Sequence, residues 1–131
     1  MPYGKSIPIL LIEDQAMDPT EEYNLVIKAL TSGLSNCVEW INDKTARQVR
    51  ANPANQGLTP EAIKRLLLEF VAAGGCIEQR REEREEYQGR REYWYRAIIP
   101  LEGFRTGLFV EMELTDDDSD VPVVSLLNAH P

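Results

Sequence analysis

Residues 108–115 read LFVEMELT. Leu108, Val110, Met112 and Leu114 alternate with Phe109, Glu111, Glu113 and Thr115. Strict period-2 alternation predicts a strand with one buried face and one mostly wet face. Downstream, Asp116 to Asp120 is a carboxylate-rich run and predicts a polar turn. Val123 to Leu127 predicts a final, more fully apolar strand. Upstream, Gly103 marks a turn, and Tyr93-Trp94-Tyr95 opens a run of strand formers that ends at Pro100. The short links predict an antiparallel meander.

Before Gly74 the rhythm is helical. Thr59 reads as an N-cap, Pro60 as the first helical residue, and Glu61 suits the positive helix end. Ile63, Leu66, Leu67, Phe70 and Val71 form one stripe wide enough to pack on a sheet, and Gly74-Gly75 stops the helix. Asp18-Pro19-Thr20-Glu21-Glu22 starts an earlier helix carrying Tyr23, Val26, Ile27 and Leu30, closed by Gly33. Between them, Val38, Trp40 and Ile41 suggest a strand and Ala46 to Arg50 a helical turn or two. Ile7 to Ile12 reads as a short strand. The expected fold class is α+β, one domain over residues 1–131, with N-terminal helices packed on a C-terminal antiparallel sheet.

The 131 residues carry a formal net charge of −8. Residues 1–79 hold 10 acids and 7 bases, residues 80–96 hold 5 Glu and 6 Arg, and residues 97–131 hold 7 acids and 1 base. An acidic surface repels phosphate backbones, so a broad nucleic-acid footprint is disfavoured and a basic protein partner suits most of the chain. The middle block is where RNA or the ribosome would land. Its RREEREE segment (residues 80–86) has high helix propensity, so helix stands as an alternative there. An extended hairpin is preferred, because Gln88-Gly89 supplies a turn. The neighbouring charges of residues 80–92 read either as a solvated, self-neutralised face or as a guanidinium grip on phosphate or carboxylate. Tyr87, Tyr93, Trp94 and Tyr95 beside them could stack on bases or join a core.

No apolar run is long enough to span a bilayer, and Glu13 and Asp14 close the N-terminal apolar stretch too early for a secretory signal. The expectation is a cytoplasmic chain with Cys37 and Cys76 reduced, both reading as small buried hydrophobes. These cysteines lack metal-ligand spacing. His130 is the single histidine, and no Gly-rich phosphate loop or serine elbow occurs. No cofactor and no metal are expected, and the acidic run lacks the glycine and distal Glu of a calcium loop.

The C-terminal third resembles a known family. Tyr95-Arg96, Gly103-Phe104-Arg105, the strand 108–114, the acidic turn, Val123-Val124-Ser125-Leu126-Leu127 and His130 follow one another. In that order they look like the closing sheet of the RelE superfamily, which includes the RelE, HigB and MqsR toxins. The resemblance covers about 35 of 131 residues. It implies a metal-independent endoribonuclease acting on mRNA, often at the ribosome. Arg96 and Arg105 would then be phosphate ligands, and Tyr95 or His130 would assist proton transfer. The chain departs from that family in its acidity, in Pro131 where many members end on a basic residue, and in Glu111 and Glu113 on the wet face.

Three functional readings follow: a RelE/MqsR-like RNA-acting toxin or a non-catalytic relative of one; an acidic interaction module that covers a basic partner as an antitoxin or immunity protein does; and a self-associating domain, a homodimer through the aromatic face around Trp94.

Overall fold

A computed structural model of the chain describes residues 17–55, 58–87 and 89–131. The strand expected at Ile7 to Ile12 lies outside these residues. Helix α1 spans Pro19–Thr31, strand β1 Val38–Trp40, α2 Asp43–Ala51 and α3 Pro60–Ala72. The strands β2 Glu78–Arg81, β3 Tyr93–Leu101, β4 Phe104–Asp116 and β5 Val123–His130 follow.

Each helix begins where its sequence supplies a side-chain acceptor. Asp18 accepts from the Thr20 amide, Asn42 from Thr45 and Thr59 from Ala62. Each such cap satisfies an orphan amide of the first turn. In α3 the apolar stripe buries Ile63 and Leu67 fully and leaves Leu66, Phe70 and Val71 packed at its margin.

The five strands form one sheet in the order β1-β5-β4-β3-β2. Four of them are antiparallel neighbours. The fold is therefore α+β with a mostly antiparallel, C-terminal sheet. One correction concerns the meander: β1 joins the edge of β5 in parallel, Val38 opposite Val124 and Trp40 opposite Leu126. This edge strand is reached from α1 on the N-terminal side, so short β-to-β links could not reveal it.

Helices α1 and α3 touch each other and lie on one face of the sheet. Tyr95, Ala97 and Ile99 of β3 stand opposite Met112, Val110 and Leu108 of β4 on that face. All six are buried, together with Val124, Leu126 and Ala129 of β5. Gly107 has φ +91°, and a Cβ there would lie 3.1 Å from the Ile99 carbonyl oxygen. That close approach sits where the β3–β4 register shifts near the hairpin tip.

A second irregularity controls the end of the chain. Met112 pairs with Leu126, but Glu111 pairs with Asn128. One step along β4 matches two along β5, so Leu127 is an extra, bulged residue. Simple alternation from Val124 and Leu126 would send His130 towards the helices. The bulge instead buries Ala129 and places Asn128 and His130 on the opposite face.

Candidate functional site

The face turned away from α1 and α3 carries Glu78 and Arg80 from β2, and Trp94, Arg96 and Ile98 from β3. Phe109, Glu111 and Glu113 of β4 continue it towards His130. It was expected to be mostly wet, and here the structure differs. Residues 82–87 and 89–92 fold back over it as a strap. The Glu82 amide donates to the Glu92 carbonyl at 2.8 Å and closes the base of the strap. A 3₁₀ turn, Glu85–Tyr87, occupies its middle. The extended reading of 80–86 thus holds for Arg80 and Arg81, which end β2, and fails beyond them.

What clamps the strap is charge. The Glu82 side chain is fully buried and accepts from Arg84 Nε at 2.8 Å, Arg84 Nη2 at 3.0 Å and Arg91 Nε at 2.7 Å. The Arg91 guanidinium, 8% exposed, also pairs with Glu113 of β4, equally buried. Arg84 and Arg91 lie over the Tyr87 ring at 5.0 and 4.3 Å, and Arg84 lies over Trp94 at 5.4 Å. Cation–π contacts of this kind add modest attraction where water is partly excluded. The Arg84 hydrogen bond is the main reason that the Glu82 carboxyl is held down to about 2, with Arg91 reinforcing it. Glu82, Arg91 and Glu113 are therefore buried charges, where sequence reading treated the block as a solvated face or a free grip.

The four residues implied by the family resemblance do not converge. Tyr95 is fully buried on the helix face. Its hydroxyl donates to Glu22 of α1 at 2.8 Å and accepts from Gln79 of β2 at 2.9 Å. Burial pushes the phenol far above its ordinary value. Arg96 is on the opposite face, where its Nη2 donates to Glu78 at 2.9 Å and lowers that carboxyl. His130 shares that face, its ring stacked on Phe109 at 5.5 Å and its Nε2 3.6 Å from Glu111. Arg105 is exposed near the β3–β4 hairpin tip, beside a shallow cleft of about 610 Å³ with Pro100, Leu101 and Phe104. Arg96 and His130 thus flank Glu111, Tyr95 is separated from them by the sheet, and Arg105 stands at its end.

Two further features were not foreseen. A cleft of about 500 Å³ opens where β3 begins and β4 ends, with Glu21, Glu22, Glu92 and Asp117 around Tyr93 and Leu114, and with the paired Arg90 and Arg91 on its border. Burial, then the charges of Glu92 and Asp117, raise the Glu22 carboxyl, while the Tyr95 bond opposes the shift. The other is a cavity of about 330 Å³ under the strap, between it, the start of α2 and the β4–β5 surface. The turn between β4 and β5 caps itself: Asp116 accepts from the Asp118 amide, and Asp118 from those of Asp120 and Val121. These bonds lower the Asp118 carboxyl.

Cys37 is buried as expected, whereas Cys76 is exposed just after the glycine stop of α3. Among the described residues no three His, Cys, Asp or Glu side chains are grouped to hold a metal ion. No helix among them is long and apolar enough to cross a membrane. Compared with protein-family models, with curated proteins and with solved structures, the chain finds no match.

Proposed function

We propose that the chain is an acidic interaction module that binds a basic protein surface. One observation carries this reading. All six arginines between residues 80 and 96 are ion-paired within the chain: Arg80 and Arg96 with Glu78, Arg81 with Glu92, Arg84 with Glu82, Arg90 with Glu113, and Arg91 with both Glu82 and Glu113. By contrast, no carboxylate of Asp116, Asp117, Asp118 or Asp120 lies within ion-pair distance of a base among the described residues, nor does Glu21 or Glu22. The charge left over for a partner is negative. It gathers at one end of the sheet, around the cleft that holds Glu22 and Asp117. Such a patch steers and selects a cationic partner.

The test is calorimetric titration of the full chain with a lysine- and arginine-rich peptide, and with a glutamate-rich peptide as control. Binding of the basic peptide alone is expected, weakening as salt rises because exposed charges are screened. Glu21→Gln with Asp117→Asn should weaken it further. Binding that ignores both salt and these substitutions would overturn the proposal. Growth arrest on expression that Arg105→Ala relieves would favour the RelE-like ribonuclease instead. A dimer that Trp94→Ala dissolves would favour self-association.

A further inference from the structure

We propose that the cavity under the strap binds a small zwitterion, a molecule carrying one carboxylate and one ammonium group, as amino acids do. Its volume of about 330 Å³ suits a ligand of that size. Its walls are mostly polar. The strap contributes Arg84, Arg90 and Arg91, and the sheet contributes Glu111, the only carboxylate in the lining among the described residues.

The hydrogen-bond accounting separates these groups. Arg84 and Arg91 are committed to Glu82 and Glu113. Arg90 is not. Its nearest counter-charge is Glu113 at 3.7 Å, an ion pair without a hydrogen bond. Its guanidinium lies over the Tyr87 ring at 5.8 Å, but none of its side-chain donors has a hydrogen-bond acceptor among the described residues. Glu111 is in the mirror situation. His130 lies 3.6 Å from it and Arg84 is within electrostatic range, yet its carboxylate accepts no hydrogen bond among the described residues. A guanidinium and a carboxylate, each without a side-chain hydrogen bond among the described residues, therefore line one cavity.

That pairing selects the ligand class. A simple anion such as phosphate would gain Arg90 but face Glu111. A simple cation would gain Glu111 but face three guanidiniums. A zwitterion satisfies both, with its carboxylate on the Arg90 fork and its ammonium on Glu111. Thr45 and Asn128 add neutral polar contacts. The Asn128 carbonyl oxygen already accepts from the Ala129 amide, so its amide donors remain for a ligand. The proposal does not depend on the basic-partner reading, whose carboxylates line a neighbouring cleft that shares Arg90 and Arg91 with this cavity.

The experiment is titration of the full chain, by calorimetry or by amide chemical shifts, with a panel of α-amino acids and ω-amino acids. Acetate, phosphate and methylamine serve as single-charge controls. At least one amino-acid arm should saturate, and the arm that binds reports the spacing of the two charges. Arg90→Gln and Glu111→Gln should each weaken binding about tenfold or more, the value of one hydrogen bond to a charge. Both side chains sit at the surface of the strap and sheet, and circular dichroism would verify that each variant keeps its fold. Thr45→Val, a milder change, should weaken binding less. No saturable binding by any amino acid would overturn the proposal. So would acetate or phosphate binding as tightly as the best amino acid, or affinity unchanged in both charge variants.

Discussion

Replacing Glu82 by Gln removes the negative centre of the strap while keeping its shape. The carboxylate is fully buried and holds Arg84 and Arg91 at once. Its pKa falls from 4.5 to about 2 in the folded chain, chiefly through the Arg84 hydrogen bond. At about 1.4 kcal/mol per pH unit, that drop caps its stabilisation between about 3 and 4 kcal/mol. Arg84 is 45% exposed, so water screens part of the attraction, and about 1.5 kcal/mol is the expected net loss at pH 7. The pH dependence follows from the direction of the shift. A carboxyl depressed by folding contributes fully above its unfolded value of 4.5, and that contribution disappears as pH falls towards 2. Urea unfolding of the native chain and the variant, at pH 7 and at steps between pH 5 and 2, measures both quantities. The two stabilities should differ at pH 7 and draw together below pH 4.5. Glu78 and Asp118, also lowered, titrate in both proteins and cancel in the difference. Equal stability at pH 7, or a gap that stays constant down to pH 2, would refute the idea that this carboxylate clamps the strap.

Three other substitutions probe the rest of the frame. Tyr95→Phe deletes the bonds to Glu22 and Gln79 and should cost about 1 kcal/mol in urea unfolding, with no new solvent path to the opposite face. Glu22→Gln should act the other way at neutral pH. Burial raises this carboxyl, so its ionisation costs stability as pH rises above 4.5, and the neutral amide should be more stable at pH 7 but not at pH 4. Gly107→Ala forces a side chain into φ +91° and against the Ile99 carbonyl, for a loss of about 2 kcal/mol in thermal or urea unfolding.

Local signals gave the helices and three long strands, because capping residues and period-2 alternation are properties of neighbours in sequence. Asp18 and Thr59 cap as they read, and Leu108, Val110 and Met112 face the core. A strand at Val38 to Trp40 was suggested, but its parallel pairing with β5 was hidden, because three residues carry no periodicity that would fix their partner. The side of the sheet on which Tyr95 falls was legible, since it shares its parity with Ala97 and Ile99. The side of His130 was not. Alternation from Val124 and Leu126 gives the wrong face, and only the bulge at Leu127 corrects it. A bulge leaves no mark in a run whose only polar residue from Val123 to Leu127 is Ser125.

The arginine-rich block shows why net charge over a window misleads. Residues 80–96 sum to +1, which reads as a landing place for phosphate. The fold, however, brings in two carboxylates from outside the window. Glu78 on β2 meets Arg80 and Arg96, and Glu113 on β4 meets Arg90 and Arg91. With them the local count becomes six arginines against seven glutamates. An incoming phosphate must therefore displace an internal carboxylate that is already held by charged hydrogen bonds, at a cost of about 1.5–3 kcal/mol for each bond broken. Arg81 and Arg90 escape that cost because their ion pairs with Glu92 and Glu113 carry no hydrogen bond, and Arg105 escapes it because it has no counter-charge within range among the described residues. Arg81 donates to the Tyr93 hydroxyl, Arg90 lies beside the strap cavity with Glu111, and Arg105 stands at the hairpin tip. With Arg105 at the sheet end and Arg90 beside a carboxylate, these cations make a poor clamp for a transferring phosphoryl group. The same arrangement leaves the Arg90 side chain without a hydrogen bond, ready for a ligand that also satisfies Glu111.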